Sequence, residues 1–317
     1  MEIDRGDADA PRQGPEQAGP LEREGQAAFE ASAAVPSAGA VLTDPERIAA
    51  EHRAYRAMVT RDYDRAPDQW AEAVPELRDA WEKIKEKYAY EEHQELASEE
   101  TEGGGWHGAG GRTLDAARSD EVDRGYARIR EVGERSIIPG VLSVEAEDPS
   151  RGLAGFEHCF KGIDRLKEKV ADRIRSKGHT PEDTIARIPD VVRFTYEYSE
   201  TTYTGGVLQD VQRLGAKGFV QLERRNTWDD DQYKGINSRW REPESGVMFE
   251  VQFHTHASLE AKELTHKAYE RIRSMTDQTS EAERETVELK EFQHRVNSMI
   301  PIPPGVADID DYPPGGK

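Results

Sequence analysis

The sequence predicts an α+β domain: a mixed β-sheet of about four to five strands flanked by helices, with an N-terminal helical region in front of it. Three observations carry this. Val191–Tyr198, Gly218–Arg225, Tyr233–Arg241 and Val247–Thr255 are rich in β-branched or aromatic residues and bounded by turn residues, as strands are. Helical periods stand before, between and after them, as in the apolar stripe Ile163, Leu166, Val170 and Ile174. The order is helix, strand, helix, strand, hairpin, helix, helix, which suits a sheet of mixed direction better than a strictly alternating one.

The elements follow in order. Residues 1–43 are dominated by Gly, Pro, Ala, Glu and Gln without an apolar period, and read as disordered. A helical region over 44–100 opens on Asp44 with Pro45 behind it. In it Trp70, Val74, Leu77, Trp81, Ile84 and Tyr88 recur at helical spacing, and Pro75 puts the start of the continuous helix just after itself. This region reads as helices packing on one another or on the rest of the chain, with a partner-binding or delivery segment as the sharper alternative. Residues 101–112, with Gly103-Gly104-Gly105 and Gly110-Gly111, lack the preceding strand and following Lys-bearing helix of a phosphate loop. They read as a linker that makes residues 1–110 separable from the rest. The main domain spans 113–300. Leu114–Val132 is helical, Ile137–Val144 a short extended piece, and Val207–Leu214 a helix. Glu244-Ser245-Gly246 marks a hairpin turn. Long helices cover Ser258–Met275 and Glu281–Met299, and the Pro-rich stretch 301–317 is expected to be a disordered tail.

Composition narrows the function. The net charge is −20, from 63 acidic against 43 basic residues, which repels nucleic acid and anionic membranes at long range. Cys159 is the single cysteine, so no intrachain disulfide forms. That fits a reducing compartment, or an exported protein that does without disulfides. The N-terminus shows no basic segment followed by an apolar one, so no signal peptide is read, and no apolar run reaches the roughly 18 residues of a membrane span. The expected setting is cytoplasmic where the protein is made, with delivery to a target cell as an alternative.

Against this acidic background, Lys161, Arg165, Lys169 and Arg173 recur every four residues along one helix face. An ordinary solvated face would look the same, yet a row of cations is also what a triphosphate requires. In Phe249–Thr255, alternation puts Glu250, Gln252 and His254 on one strand face and Phe249, Val251 and Phe253 on the other. The polar set is either a half-exposed face or a lined pocket, in which Glu250 could hold Mg²⁺. In Tyr233-Lys234-Gly235-Ile236-Asn237, Tyr233 can stack on a purine and Asn237 can orient a sugar or base edge. Asp190 is a second candidate magnesium ligand and Arg193 a phosphate clamp, a pair that works only if Asp190 precedes the regular strand. Lys262, His266, Tyr269 and Arg273 share a helix face that either reaches phosphates or is solvated. A zinc site from His254, His256 and His266 is the minor alternative.

In this order the motifs resemble the synthetase domain of RelA/SpoT-type enzymes, which make alarmone nucleotides; the compact, toxin-like members are most similar. The resemblance covers about 120 residues and rests on four elements. They are Phe160-Lys161-Gly162-Ile163 running on to Lys169, Asp190-Val191-Val192-Arg193-Phe194-Thr195, Tyr233 to Asn237, and Glu250-Val251-Gln252-Phe253-His254-Thr255 with His266 after it. It implies a pyrophosphokinase that moves the β,γ-pyrophosphate of ATP to the 3′-hydroxyl of a purine nucleotide with Mg²⁺. It assigns ATP phosphates to Lys161, Lys169 and Arg193, with Arg165 beside them, and magnesium and catalysis to Asp190 and Glu250. Tyr233, Asn237, Gln252, His254 and His266 would receive the acceptor. Cys159 and Arg165 stand where the family commonly has Arg and Ser. No His-Asp dipeptide of the partnering hydrolase occurs, which suits a growth-arresting toxin with a cognate antitoxin, or a delivery partner held by the N-terminal helices. Two alternatives stand: a catalytically degenerate nucleotide-binding or structural module in a phage or secretion assembly, and pyrophosphorylation of tRNA 3′ ends.

Overall fold

A computed structural model describes residues 69–88, 99–100, 103–108, 111–275 and 279–313, all within one compact unit. The expectations for 1–43 and for the helix start at Asp44 lie outside these residues.

Five strands form the main sheet in the order β4-β5-β8-β7-β6: β4 (Gly152–Leu153), β5 (Arg193–Tyr198), β6 (Val220–Asn226), β7 (Ile236–Arg241) and β8 (Met248–Thr255). β5 and β8 run parallel in the centre and every other pair is antiparallel, so the sheet is mixed, as expected. Alternation does the rest. Phe194, Tyr196 and Tyr198 of β5 and Phe249, Val251 and Phe253 of β8 are buried on one face. There they meet α3 (Ile138–Glu145) and α6 (Tyr203–Ala216). Tyr196 donates its hydroxyl to the Val141 carbonyl at 2.9 Å, and the Phe219 and Phe249 rings meet edge to face 4.9 Å apart. Arg151 and Asp210, both without exposure, form an ion pair in this layer that also accepts the Tyr198 hydroxyl at 2.6 Å. The opposite face carries the polar residues, beneath α7 (His256–Ser274).

Four expectations are corrected. Ile137–Val144 is not extended: a π turn over Gly133–Ile137 continues α2 (Ala116–Val132) into α3. Its β-branched residues look strand-like, but Ile137, Ile138, Val141 and Val144 are all buried against the sheet, and burial overrides the weak local preference. Pro75 lies inside α1 (Gln69–Lys87) instead of before it. The lost backbone bond is outweighed because Trp70 and Leu77, on either side of it, are both buried. α1 docks on α7 and α8 (Ser280–Ser298): Trp70 donates to Glu260 at 2.9 Å, and Trp81 stacks on Phe292 at 5.5 Å. The described helix Gln69–Lys87 is therefore packed on the domain.

Within the Gly-rich stretch read as a linker, Trp106–His107 form β2, between β1 (Glu99–Glu100) and β3 (Thr113–Leu114). Trp106 is buried and donates to Asp164 of α4 (Ile163–Lys177) at 2.9 Å. Gly108 is required there because a β-carbon would fall 2.2 Å from the Trp106 ring. The described part of the tail packs on the domain: Tyr312 exchanges backbone hydrogen bonds with Arg224 at 2.8 and 2.9 Å, and Val306 and Ile309 are buried. It covers the free edge of β6, which would otherwise present unpaired backbone groups. Among the described residues no helix is long and apolar enough to cross a membrane.

Candidate active site

Asp190 sits in a short 3₁₀ turn, Pro189–Val191, that precedes β5, with φ −89° and ψ 18°. Strand alternation therefore does not govern it, and Asp190 and Arg193 can serve one site. Lys169 reaches it from α4, and Lys161 from the segment just before that helix, so the two do not share a helix face as the spacing predicts. Lys169 Nζ lies 2.8 and 2.9 Å from the two carboxylate oxygens and Lys161 Nζ at 3.2 Å. Lys161 is itself positioned twice over: its N–H donates to the Val191 carbonyl at 2.9 Å, and its carbonyl accepts the Tyr126 hydroxyl at 2.8 Å. Burial works to raise the Asp190 pKa, but the bond from Lys169 and the charge of Lys161 outweigh it and hold the carboxyl below its ordinary range.

Glu250 lies opposite Arg193 in the parallel register and opposite Arg239 in the antiparallel one. Its pKa is raised, first by burial and further by the negative charge of Asp190, with Arg193 opposing. Gln252 Nε2 donates to Glu250 at 2.5 Å, and Lys262 Nζ of α7 donates to Gln252 Oε1 at 2.6 Å. Burial and the nearby Arg193 charge bring the Lys262 pKa down to about 8, so it stays mostly cationic at neutral pH. Gln252 and His254 are buried and Glu250 is half-buried, so the polar face of β8 is covered and is not a solvated strand face.

At the far end of that face, the Tyr233 hydroxyl donates to Asn237 Oδ1 at 3.0 Å and meets His254 Nε2 at 2.9 Å. His254 Nδ1 meets Ser258 Oγ at 2.9 Å. Burial, with the charges of Lys262 and Arg193, keeps His254 well below its usual pKa and thus neutral. The loop carrying Tyr233 is tied down by Lys234, whose buried ammonium donates to the Trp228 carbonyl at 2.8 Å, and by the Asp230 carboxylate, which accepts from the backbone of Gln232 and Tyr233. Lys234 is therefore a structural residue.

Not every predicted residue joins this cluster. Arg165 and His266 meet on the rim, where both pair with Glu270, at 3.1 and 3.3 Å, with 56% and 58% of their side chains exposed. Arg173 turns to the Arg187 carbonyl, and Arg273 lies over the exposed Tyr269 ring. The three histidines of the zinc alternative do not share a site: His254 meets Tyr233 and Ser258, His256 meets Glu197 at 2.7 Å, and His266 meets Glu270. Among the described residues no group of three or more His, Cys, Asp or Glu is arranged around a metal. Cys159, at the position of a family arginine, is buried with its thiol pushed up to about 11, chiefly by burial. Its carbonyl accepts the Arg193 N–H at 2.8 Å, so its contribution here is through the main chain. Arg239 was not singled out in the sequence, although alternation from Asn237 puts it on the site face. It flanks Glu250 and pairs with Glu223 at 2.7 Å.

Two carboxylates, Asp190 and Glu250, near enough for one to raise the pKa of the other, suit a hard divalent cation whose remaining ligands come from substrate oxygens and water. Around them Lys161, Lys169, Arg193 and Lys262 outnumber the two acids, a local positive excess in a chain of net charge −20.

No family model and no curated protein matches the chain. Solved structures do resemble it. Small alarmone synthetase 1 from Bacillus subtilis is 15% identical over 57% of this chain and 92% of that one, with a TM-score of 0.39. A GTP pyrophosphokinase family protein from Streptococcus pneumoniae is 15% identical over 58% and 91%, with a TM-score of 0.38. The smu.1046c protein from Streptococcus mutans UA159 is 18% identical over 55% and 90%, with a TM-score of 0.37. Two of the three are of the class that the motifs resemble.

Proposed function

We propose that the chain is a nucleotide-binding phosphotransferase, and specifically an ATP-dependent pyrophosphokinase that transfers the β,γ-pyrophosphate of ATP to the 3′-hydroxyl of a purine nucleotide. The observation that carries this is the convergence of Lys161 and Lys169 on Asp190, beside a half-buried Glu250 and an exposed Arg193 that lie opposite each other on neighbouring strands. Phosphoryl transfer asks a protein mainly for positioning and charge neutralisation, and this cluster supplies both.

Lys161, Lys169 and Arg193 bind the ATP phosphates, and Asp190 and Glu250 are the residues that would hold a divalent cation once the lysines turn to phosphate. Mg²⁺ held there would neutralise phosphate charge and sharpen the electrophilicity of phosphorus. Glu250, with its raised pKa, takes the proton of the acceptor 3′-hydroxyl. The 3′-oxygen forms its bond to the β-phosphorus, the bond from the α,β-bridging oxygen to the β-phosphorus breaks, and AMP leaves with that oxygen. Tyr233 stacks on the purine, its ring held by the bonds of its hydroxyl to Asn237 and His254. Gln252 and His254 border the acceptor ribose, while Arg165 and His266 reach phosphates from the rim. Used without a hydrolase, such an activity would arrest growth, which supports a toxin role with an antitoxin or a delivery partner.

The test is incubation with Mg²⁺ and γ-labelled ATP beside GDP, GTP, AMP, ADP, ATP or tRNA. A labelled acceptor carrying pyrophosphate names the substrate. A folded protein that binds ATP and labels no acceptor would be a binding module instead, and labelled tRNA would move the acceptor to RNA.

A further inference from the structure

β8 passes into α7 without a loop. Thr255 caps the helix by accepting from the Ser258 N–H at 3.2 Å, and Ser258 Oγ accepts the Thr255 N–H at 3.0 Å. This capping box fixes how α7 leaves the strand, and with it where Lys262 stands over Gln252, ten positions back. On the outer side of α7, Glu260 is held by Trp70 at 2.9 Å and Arg78 at 3.0 Å of α1. The stretch of α7 that carries Lys262 is thus held from two directions.

The chemistry of the contact has one solution. An ammonium only donates, so the end of the Gln252 amide facing Lys262 at 2.6 Å must be the oxygen. The amide is planar, so its NH₂ group must then face Glu250, at 2.5 Å. A carboxylate only accepts, so that arrangement is the attractive one; the flipped amide would set oxygen against carboxylate and NH₂ against ammonium. Gln252 is buried, so an amide left without these partners would cost more than an exposed one.

We infer that Lys262 is a positioning residue: by fixing the orientation of the Gln252 amide, it makes Gln252 a hydrogen-bond donor to Glu250 and holds that carboxylate in its working position. The kinetic consequence rests on the pyrophosphokinase reading; the orientation of the amide does not.

The experiment is a double-mutant cycle in the full chain with Lys262→Met, Gln252→Ala and the double variant, each checked for folding by its thermal midpoint. Lys262→Met should lower kcat by about 10–100-fold, the usual loss for a supporting residue, with nucleotide KM changed less than about threefold. The double variant should be no slower than Gln252→Ala alone, because the lysine acts through the glutamine. Lys262→Arg, another donor-only cation, should recover most of the rate. Losses that multiply in the double variant, or a rise in KM with kcat unchanged, would mean that Lys262 binds substrate directly and would overturn the inference. An independent arm follows the side-chain NH₂ of Gln252 by NMR. Its protons should exchange slowly with water in the wild type and clearly faster in Lys262→Met. Unchanged exchange in a folded variant overturns the inference, and so does rapid exchange in the wild type, which is readable even if every variant fails to fold. If the wild type transfers no pyrophosphate, the functional reading falls, and the NMR arm alone decides the orientation.

Discussion

Gly235 lies against the imidazole of His254: a methyl group at position 235 would stand 2.7 Å from its Cε1 and 3.1 Å from its Nδ1. Gly235 is not one of the left-handed glycines, so space and not backbone freedom is what it provides. Gly235→Ala should push His254 off the Tyr233 hydroxyl, now 2.9 Å away. Overpacking of this kind costs about 1–3 kcal/mol. The expected result is a lower thermal midpoint with transfer activity reduced about tenfold or more. Wild-type values for both would mean that the neighbouring strand yields and that the contact is unimportant.

Glu250→Gln separates stability from turnover. A carboxyl whose folded pKa is raised above its unfolded value costs nothing below the unfolded value, and costs stability once pH has risen through the folded one. Glutamine has no such charge to bury. At neutral pH the variant should therefore unfold at a higher temperature than the wild type, and the gain should vanish as pH falls below the unfolded carboxylate range. Turnover at saturating ATP should fall by about 10²-fold or more. A variant within a few-fold of the wild-type rate removes Glu250 from the chemistry.

Lys161→Ala with Lys169→Ala removes both cations from Asp190. Neither side chain belongs to the buried stripe of α4, formed by Leu166 and Val170, so the fold should survive. Calorimetry should register ATP affinity lower by about 10-fold or more, since each charge-assisted bond contributes roughly 1.5–3 kcal/mol. Equal affinity would dismiss the basic helix face as the phosphate site.

Trp81 tests whether the N-terminal helix belongs to the domain. It is buried against Phe292, 5.5 Å between ring centres. Truncating such a residue costs about 3–5 kcal/mol. In a domain of this size each kcal/mol lowers the thermal midpoint by roughly 2–4 °C. A scan of Trp81→Ala showing no shift would restore the separable N-terminal region.

The sequence by itself determined the strands and the residue types on each of their faces, because alternation is local: Phe249, Val251 and Phe253 had to point one way and Glu250, Gln252 and His254 the other. It also put Lys169 on a helix with an apolar stripe, whereas Lys161 stands just before that helix and reaches Asp190 through the bond of its N–H to Val191. Only the tertiary structure decided that the polar face is covered, because α7 comes down on it and brings Lys262 to Gln252. Only it decided that Asp190 is paired by both lysines while Arg165 and His266 stop at the rim on Glu270. The apparent linker, the apparent tail and the run Ile137–Val144 were misread for one reason. Their local composition is that of loops or strands, and their conformations follow from what they bury: Trp106 over α4, Val306 and Ile309 beside β6, and the aliphatic side chains of α3 under the sheet. Local preferences amount to a few tenths of a kcal/mol per residue, whereas burying one large apolar side chain contributes about 1.5–3 kcal/mol, and contacts between distant segments cannot be read from either segment alone.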